Sequence, residues 1–157
     1  MTLIPHKNET LVAPITALQA LSRLSLVTQP AGLSQSHKSP DILFVGHIGK
    51  SSFRISRKVN YPQNYLPIIK GKIEGSSRGC IIFIKYRLFF SSILFFTFWT
   101  GMTMLIGLFF IFFPKEYGYA IIAFSSGVAN YVVTLLNFNK QVKLSRAALD
   151  EALNMSA

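Results

Sequence analysis

Acidic side chains are scarce in this sequence. Six Asp and Glu stand against sixteen Lys and Arg in 157 residues, a formal charge of +10. A reaction that works through a carboxylate pair or a carboxylate-bound metal would have to draw on that small stock. Histidine is as thin, with three in the chain: His6 and His37 fall in polar terminal or linker stretches, and His47 sits beside Gly46 on a strand-like run, where it reads as a surface residue. The single cysteine, Cys80, excludes an internal disulfide and a cysteine zinc cluster. Asp150 and Glu151 are adjacent, so they cannot share a helix face as a catalytic pair. No Gly-rich phosphate loop, paired-histidine motif or nucleophile elbow occurs. The sequence therefore predicts no enzymatic activity, no catalytic residue, no metal and no cofactor.

Charge of either sign is missing altogether from two long runs, residues 88–113 and 117–138, separated only by Pro114-Lys115-Glu116. A bilayer core about 30 Å thick needs roughly 20 apolar residues in a helix, so each run is long enough to span. Together they predict a transmembrane helical hairpin. A mean hydropathy of +0.40 beside so strong a basic charge fits a small membrane protein with basic flanks. The cations are scattered over strand-like segments and helix flanks instead of one recognition motif, and nucleic acid is not an expected partner. No apolar h-region opens the chain, so a cleaved secretory signal is not expected; the hydroxyl-rich residues 1–40 leave an organelle transit peptide as the other reading.

Ahead of the hairpin the pattern has period two. Residues 42–48, 52–59, 66–74 and 80–88 read as four strands of an antiparallel β-meander, punctuated by Gly49-Lys50-Ser51, by a proline-interrupted stretch over 60–64, and by a glycine-flanked turn over 75–79. Phe53 and Ile55 alternate with Arg54 and Ser56, and Ile69, Gly71 and Ile73 with Lys70, Lys72 and Glu74, giving one apolar and one charged face. A mid-strand glycine such as Gly46 or Gly71 marks a bulge, a bend or a close backbone approach. Residues 14–27 carry Leu18, Leu21 and Leu24 with Ala17 and Ala20 at helical spacing, behind Pro14 as a first-turn residue. Residues 1–10 read as a frayed terminus and 29–41 as a linker. After the hairpin, Leu135, Phe138, Val142, Ser145, Leu149 and Ala152 recur at three- and four-residue steps, a stripe that continues the second spanning helix to about residue 153. That stripe serves either a partner helix or the chain's own sheet.

Four segments result: 1–40, a tail with a short amphipathic helix; 41–87, a basic meander; 88–138, the hairpin; and 139–157, a C-terminal helix. The fold class is an α+β membrane protein. Within the hairpin, Trp99 is expected in the seam between the two helices, Asn130 as an amide paired across it, and Gly101, Gly107, Gly118 and Gly127 as points of close approach. Five cations precede the hairpin and three follow it, against one lysine in its loop, so the positive-inside rule puts both termini in the cytoplasm, or on the stromal or matrix side of an organelle. Arg54, Arg57, Lys58, Lys70, Lys72 and Lys85 form the candidate binding face, suited to anionic lipid headgroups or to a protein partner. A non-enzymatic module that presents this face for binding or complex assembly is the expected function; an accessory subunit of a transporter or channel is the alternative, and a larger complex or a homo-oligomer fits either.

Phe44-x-Gly46-x-Ile48, Phe53-x-Ile55-x-Arg57, Ile69-x-Gly71-x-Ile73, Gly79, Ile82-x-Ile84 and Arg87 ahead of an apolar run form a pattern that resembles a group of small uncharacterised bacterial membrane proteins, cyanobacterial ones among them. The resemblance covers residues 42–113. It implies a four-stranded cytoplasmic segment before a two-helix membrane hairpin, and it implies no activity.

Overall fold

The computed structural model describes residues 4–30, 42–59, 63 and 65–154. Its centre is a mixed sheet of six strands, not four: β1 (His6–Ala13), β2 (Thr28–Pro30), β3 (Phe44–Ile48), β4 (Ser52–Arg57), β5 (Pro67–Ser76) and β6 (Gly79–Leu88), in the order β1-β6-β5-β4-β3-β2. The expected meander is present as β3 to β6, each strand antiparallel to the next. Two strands lay outside that expectation. The terminus read as frayed is β1, antiparallel to β6 over its whole length, from His6 opposite Arg87 to Ala13 opposite Cys80. The start of the expected linker is β2, a three-residue strand parallel to β3; the rest of that linker, 31–41, lies outside the described residues, as does most of 60–64.

Two glycines fit the sheet through close contacts. A Cβ on Gly71 would fall 2.0 Å from the Phe53 ring, so the aromatic side chain lies directly over its cross-strand neighbour. A Cβ on Gly46 would fall 2.2 Å from the Arg54 carbonyl oxygen. Of the three readings of a mid-strand glycine, close approach is the one realised.

One face of the sheet is buried. Phe44, Phe53, Ile55, Ile69, Ile82, Ile84, Tyr86 and Leu88 form a core with two helices. The first is α1 (Ala17–Leu26), which starts later than its hydrophobic pattern suggested. Thr16 is the N-cap and forms a capping box with Gln19, a mutual pair of bonds that satisfies orphan amides at the helix start. Pro14 therefore stands outside the helix. Ala20 and Leu24 enter the core, whereas Leu18 is 79% exposed and drops out of the expected stripe. Arg23 ties this helix down by donating from Nη1 to the Leu153 carbonyl.

The second cover is the end of a long helix. α2 (Phe90–Phe112) leaves the sheet one residue after β6, and Pro114-Lys115-Glu116 returns the chain into α3 (Tyr117–Asn154), a single unbroken helix of 38 residues. The helices run antiparallel: the Phe96 and Tyr131 rings stand 6.0 Å apart near one end, and Gly107 meets Phe124 towards the other. Gly107 is a notch, since a Cβ there would reach within 2.8 Å of the Phe124 ring; Gly127 likewise accommodates Thr103. Gly101 and Gly118 face open space and are not points of approach. Trp99 is not in the seam either. It is 48% exposed and its ring neighbours, Phe95 and Phe98, belong to its own helix.

The buried stripe of α3 changes partner along its length. Gly127 and Tyr131 face α2, and Phe138, Val142, Leu149, Ala152 and Leu153 enter the core beneath the sheet. Of the two uses expected for the C-terminal stripe, packing on the chain's own sheet is the one found. Fully burying each large apolar side chain contributes about 1.5–3 kcal/mol, so this half of α3 is a substantial part of the core beneath the sheet.

Candidate functional site

The other face of the sheet carries the charge. Alternation along β4, β5 and β6 points Arg54, Lys70, Lys72, Lys85 and Arg87 away from the core, and the register lines three of them up: Arg54 is the cross-strand partner of Lys70, and Lys70 of Lys85. His47 extends the row on β3 and Asn8 ends it on β1. Directly paired residues on neighbouring strands lie about 4.5–5.5 Å apart at Cα, so three cations occupy a ladder about 10 Å long. Like charges directly opposite destabilise a sheet. Arg87 stands one step along β6 towards α2, opposite Ile68 and His6.

Arg57 and Arg146, on the core side, are engaged. Arg57 is the residue that leaves the expected face. It pairs with Phe44 in register, and its Nη2 donates to Gln141 Oε1 of α3 at 2.8 Å and to Gln63 Oε1 at 3.3 Å. The reason is parity, since Arg57 lies an odd number of residues from Arg54 and points to the opposite side. Arg146 of α3 pairs with Glu9 of β1 and with Asp150 at 3.7 Å. Lys58 follows the end of β4 and is half-buried. On the outer face, Lys72 bonds Glu74 at 2.8 Å, an exposed pair whose hydrogen bond and charge raise the lysine pKa. Among the described residues, Arg54, Lys70, Lys85 and Arg87 have no hydrogen-bonding or ion-pair partner. Arg87 belongs to this group although it was counted only as a hairpin flank. Its signal was present in the alternation Lys85-x-Arg87.

This chain has no match among family models, curated proteins or solved structures. The site must therefore be judged on its own chemistry. Among the described residues no three His, Cys, Asp or Glu side chains gather to hold a metal ion. Cys80 is buried at the far end of β6, where burial pushes its thiol pKa up, away from a reactive thiolate. His47 is exposed, with Arg54 opposite and no carboxylate beside it in register. A row of uncompensated cations on the open face of a sheet attracts anions.

α2 and α3 are long and apolar enough to cross a membrane. Their outward surfaces are bare: Phe90, Phe98, Phe112, Ile121 and Leu136 are each more than 60% exposed. A groove of about 300 Å³ lies between the helices, lined by Phe96, Thr100, Thr103, Phe124, Gly127 and Tyr131 among others. The Asn130 amide nitrogen is buried without a hydrogen-bond partner, so the cross-seam pairing expected for it is not formed.

Proposed function

We propose that the chain is a non-enzymatic, two-pass membrane protein that holds a basic sheet face at the membrane surface for an anionic partner. The observation that carries this reading is the uncompensated ladder Arg54–Lys70–Lys85 on a sheet whose last strand runs into the first apolar helix with one intervening residue. Exposed apolar surface on the scale of this hairpin is costly in water and ordinary in lipid. The hairpin is the fixture and the sheet is the working part. With the cations gathered before α2 and after Phe138, both termini lie on the cytoplasmic side, or its organellar equivalent. The groove and the unpartnered Asn130 amide favour a second reading, in which a helix of a larger transporter or channel complex packs against the hairpin.

Crosslinking in native membranes, followed by mass spectrometry, tests the proposal. Wild type is expected to resist alkaline carbonate extraction and to yield crosslinks from the sheet face to anionic lipid or acidic protein. The triple substitution R54Q/K70Q/K85Q should lose those crosslinks while remaining in the membrane. Extraction by carbonate, or an unchanged crosslink pattern in the triple variant, would reject the reading. Crosslinks confined to the hairpin would favour the subunit alternative. Reporters fused at the C-terminus and in the loop over 114–116 check the orientation.

A further inference from the structure

The ladder is close to the point where the chain would enter the bilayer, and that position selects among anions. Lys85 stands five residues before Phe90, the first residue of α2, and Arg87 stands three before it. Even fully extended, those segments reach at most about 18 Å and 11 Å. The polar layer on each side of a bilayer core is about 5–8 Å deep, and screening at physiological salt acts over about 8 Å. The cations therefore lie within reach of the phosphates of the leaflet from which α2 departs. Lys70 and Arg54 share the row of Lys85, so they extend the charge laterally from β6 across β5 to β4.

Charge is graded along the face. The row nearest α2 holds Arg87 and the next holds Arg54, Lys70 and Lys85; beyond these, Lys72 is paired with Glu74, and Val12 and Ile81 face each other at the far end of β1 and β6. Lys50 and Arg78 stand in the turns at that far end, apart from the ladder. A soluble acidic protein approaching from the cytoplasm would meet the isolated turn cations Lys50 and Arg78 first, not the ladder. Lipid phosphate meets the ladder.

Resting on the proposed function, we infer that Arg54, Lys70, Lys85 and Arg87 form a site for the phosphate of an anionic phospholipid in the leaflet adjoining the sheet. Each opposed pair of cations can share one phosphate, which relieves the repulsion built into the register. Ladder cations bound in this way orient the sheet with its charged face tilted towards the headgroups.

Full-length protein in a neutral detergent, titrated with phosphatidylglycerol or phosphatidylcholine and read by native mass spectrometry, tests the inference. Wild type is expected to retain phosphatidylglycerol at least tenfold better than phosphatidylcholine. R54Q/K70Q/K85Q should lose that preference with its thermal midpoint unchanged or raised, whereas K140Q/K143Q, which removes exposed cations of α3, should keep it. A preference abolished by K140Q/K143Q and kept by the ladder variant would overturn the site. Ladder-dependent retention of pyrophosphate without phosphatidylglycerol would overturn the lipid as its source. Ladder-dependent retention of poly-L-glutamate alone would overturn the phosphate while the anionic-partner reading stood. Equal retention of both lipids by wild type, with no ladder-dependent anion, would overturn both.

Discussion

Tyr86 of β6 and Ser145 of α3 are both fully buried, and both have hydroxyl oxygens that lack a hydrogen-bond partner. Burial raises the Tyr86 pKa, with Glu9 and Asp150 acting in the same direction and Arg146 against it. The sign of the linkage follows. The unfolded chain ionises this phenol near its ordinary value of 10.0, whereas the folded chain holds it neutral, so its contribution is fully present below about pH 10 and lost as pH rises through the folded value. Tyr86→Phe should therefore flatten the alkaline limb of a stability profile recorded from pH 8 to 12. At neutral pH it should leave stability unchanged or raise it by about 1 kcal/mol, because an unsatisfied buried hydroxyl is removed. A loss of several kcal/mol at pH 7 in chemical denaturation would show that the hydroxyl is bonded in solution.

At the scale of elements, β1 is the strand most dependent on distant residues. Its core-facing positions are Lys7, Glu9, Leu11 and Ala13, two of them charged, and the strand is accommodated because Arg146, on the last helix, covers the Glu9 carboxylate. The two side chains are 14% and 43% exposed, so water screens the pair only from the arginine side. Arg146→Ala leaves a largely buried carboxylate without its cation and should cost about 1–3 kcal/mol. Asp150→Ala removes only the exposed helical partner and should cost about 0.5 kcal/mol or less. Hydrogen exchange gives the finer test: amides of β1 should lose protection in the Arg146 variant before those of β5 and β6. The same element explains why the N-terminal strand was read as a frayed end. Its alternation is broken at Lys7 and Glu9, and the compensating charge lies 137 residues away. α1 shows the opposite case, since Thr16 and Gln19 carried a capping box in plain sight and the apolar pattern drew the start three residues too early.

Across the whole molecule, α3 is the coupling. One face of it packs on α2 and, beyond Phe138, on the sheet, so the rotation of the sheet about the hairpin is fixed by helical phase. Inserting a single alanine after Asn139 turns everything downstream by about 100° and moves Val142, Leu149 and Ala152 off the core. The expected result is an intact hairpin with a loosened sheet: protease sensitivity should rise in β1 to β6 while the 90–138 fragment stays protected in detergent. An undisturbed sheet after that insertion would mean that α3 is not a continuous rod in solution. The same coupling fixes the angle between the ladder and the hairpin.

By itself the sequence determined what depends on neighbours along the chain. The two apolar runs, the four strands of the meander and the stripe from Phe138 to Ala152 all follow from local periodicity, because burial repeats every two residues in a strand and about every 3.6 in a helix. It also placed Arg54, Lys70, Lys72 and Lys85 on one side of the sheet. Tertiary structure alone decided the rest. Register made Arg54, Lys70 and Lys85 one ladder, parity at the end of β4 sent Arg57 to Gln141, and Arg146 made a strand of residues that alternate poorly. These are pairings between residues far apart in the chain, and no local pattern encodes which distant group will arrive to satisfy a charge.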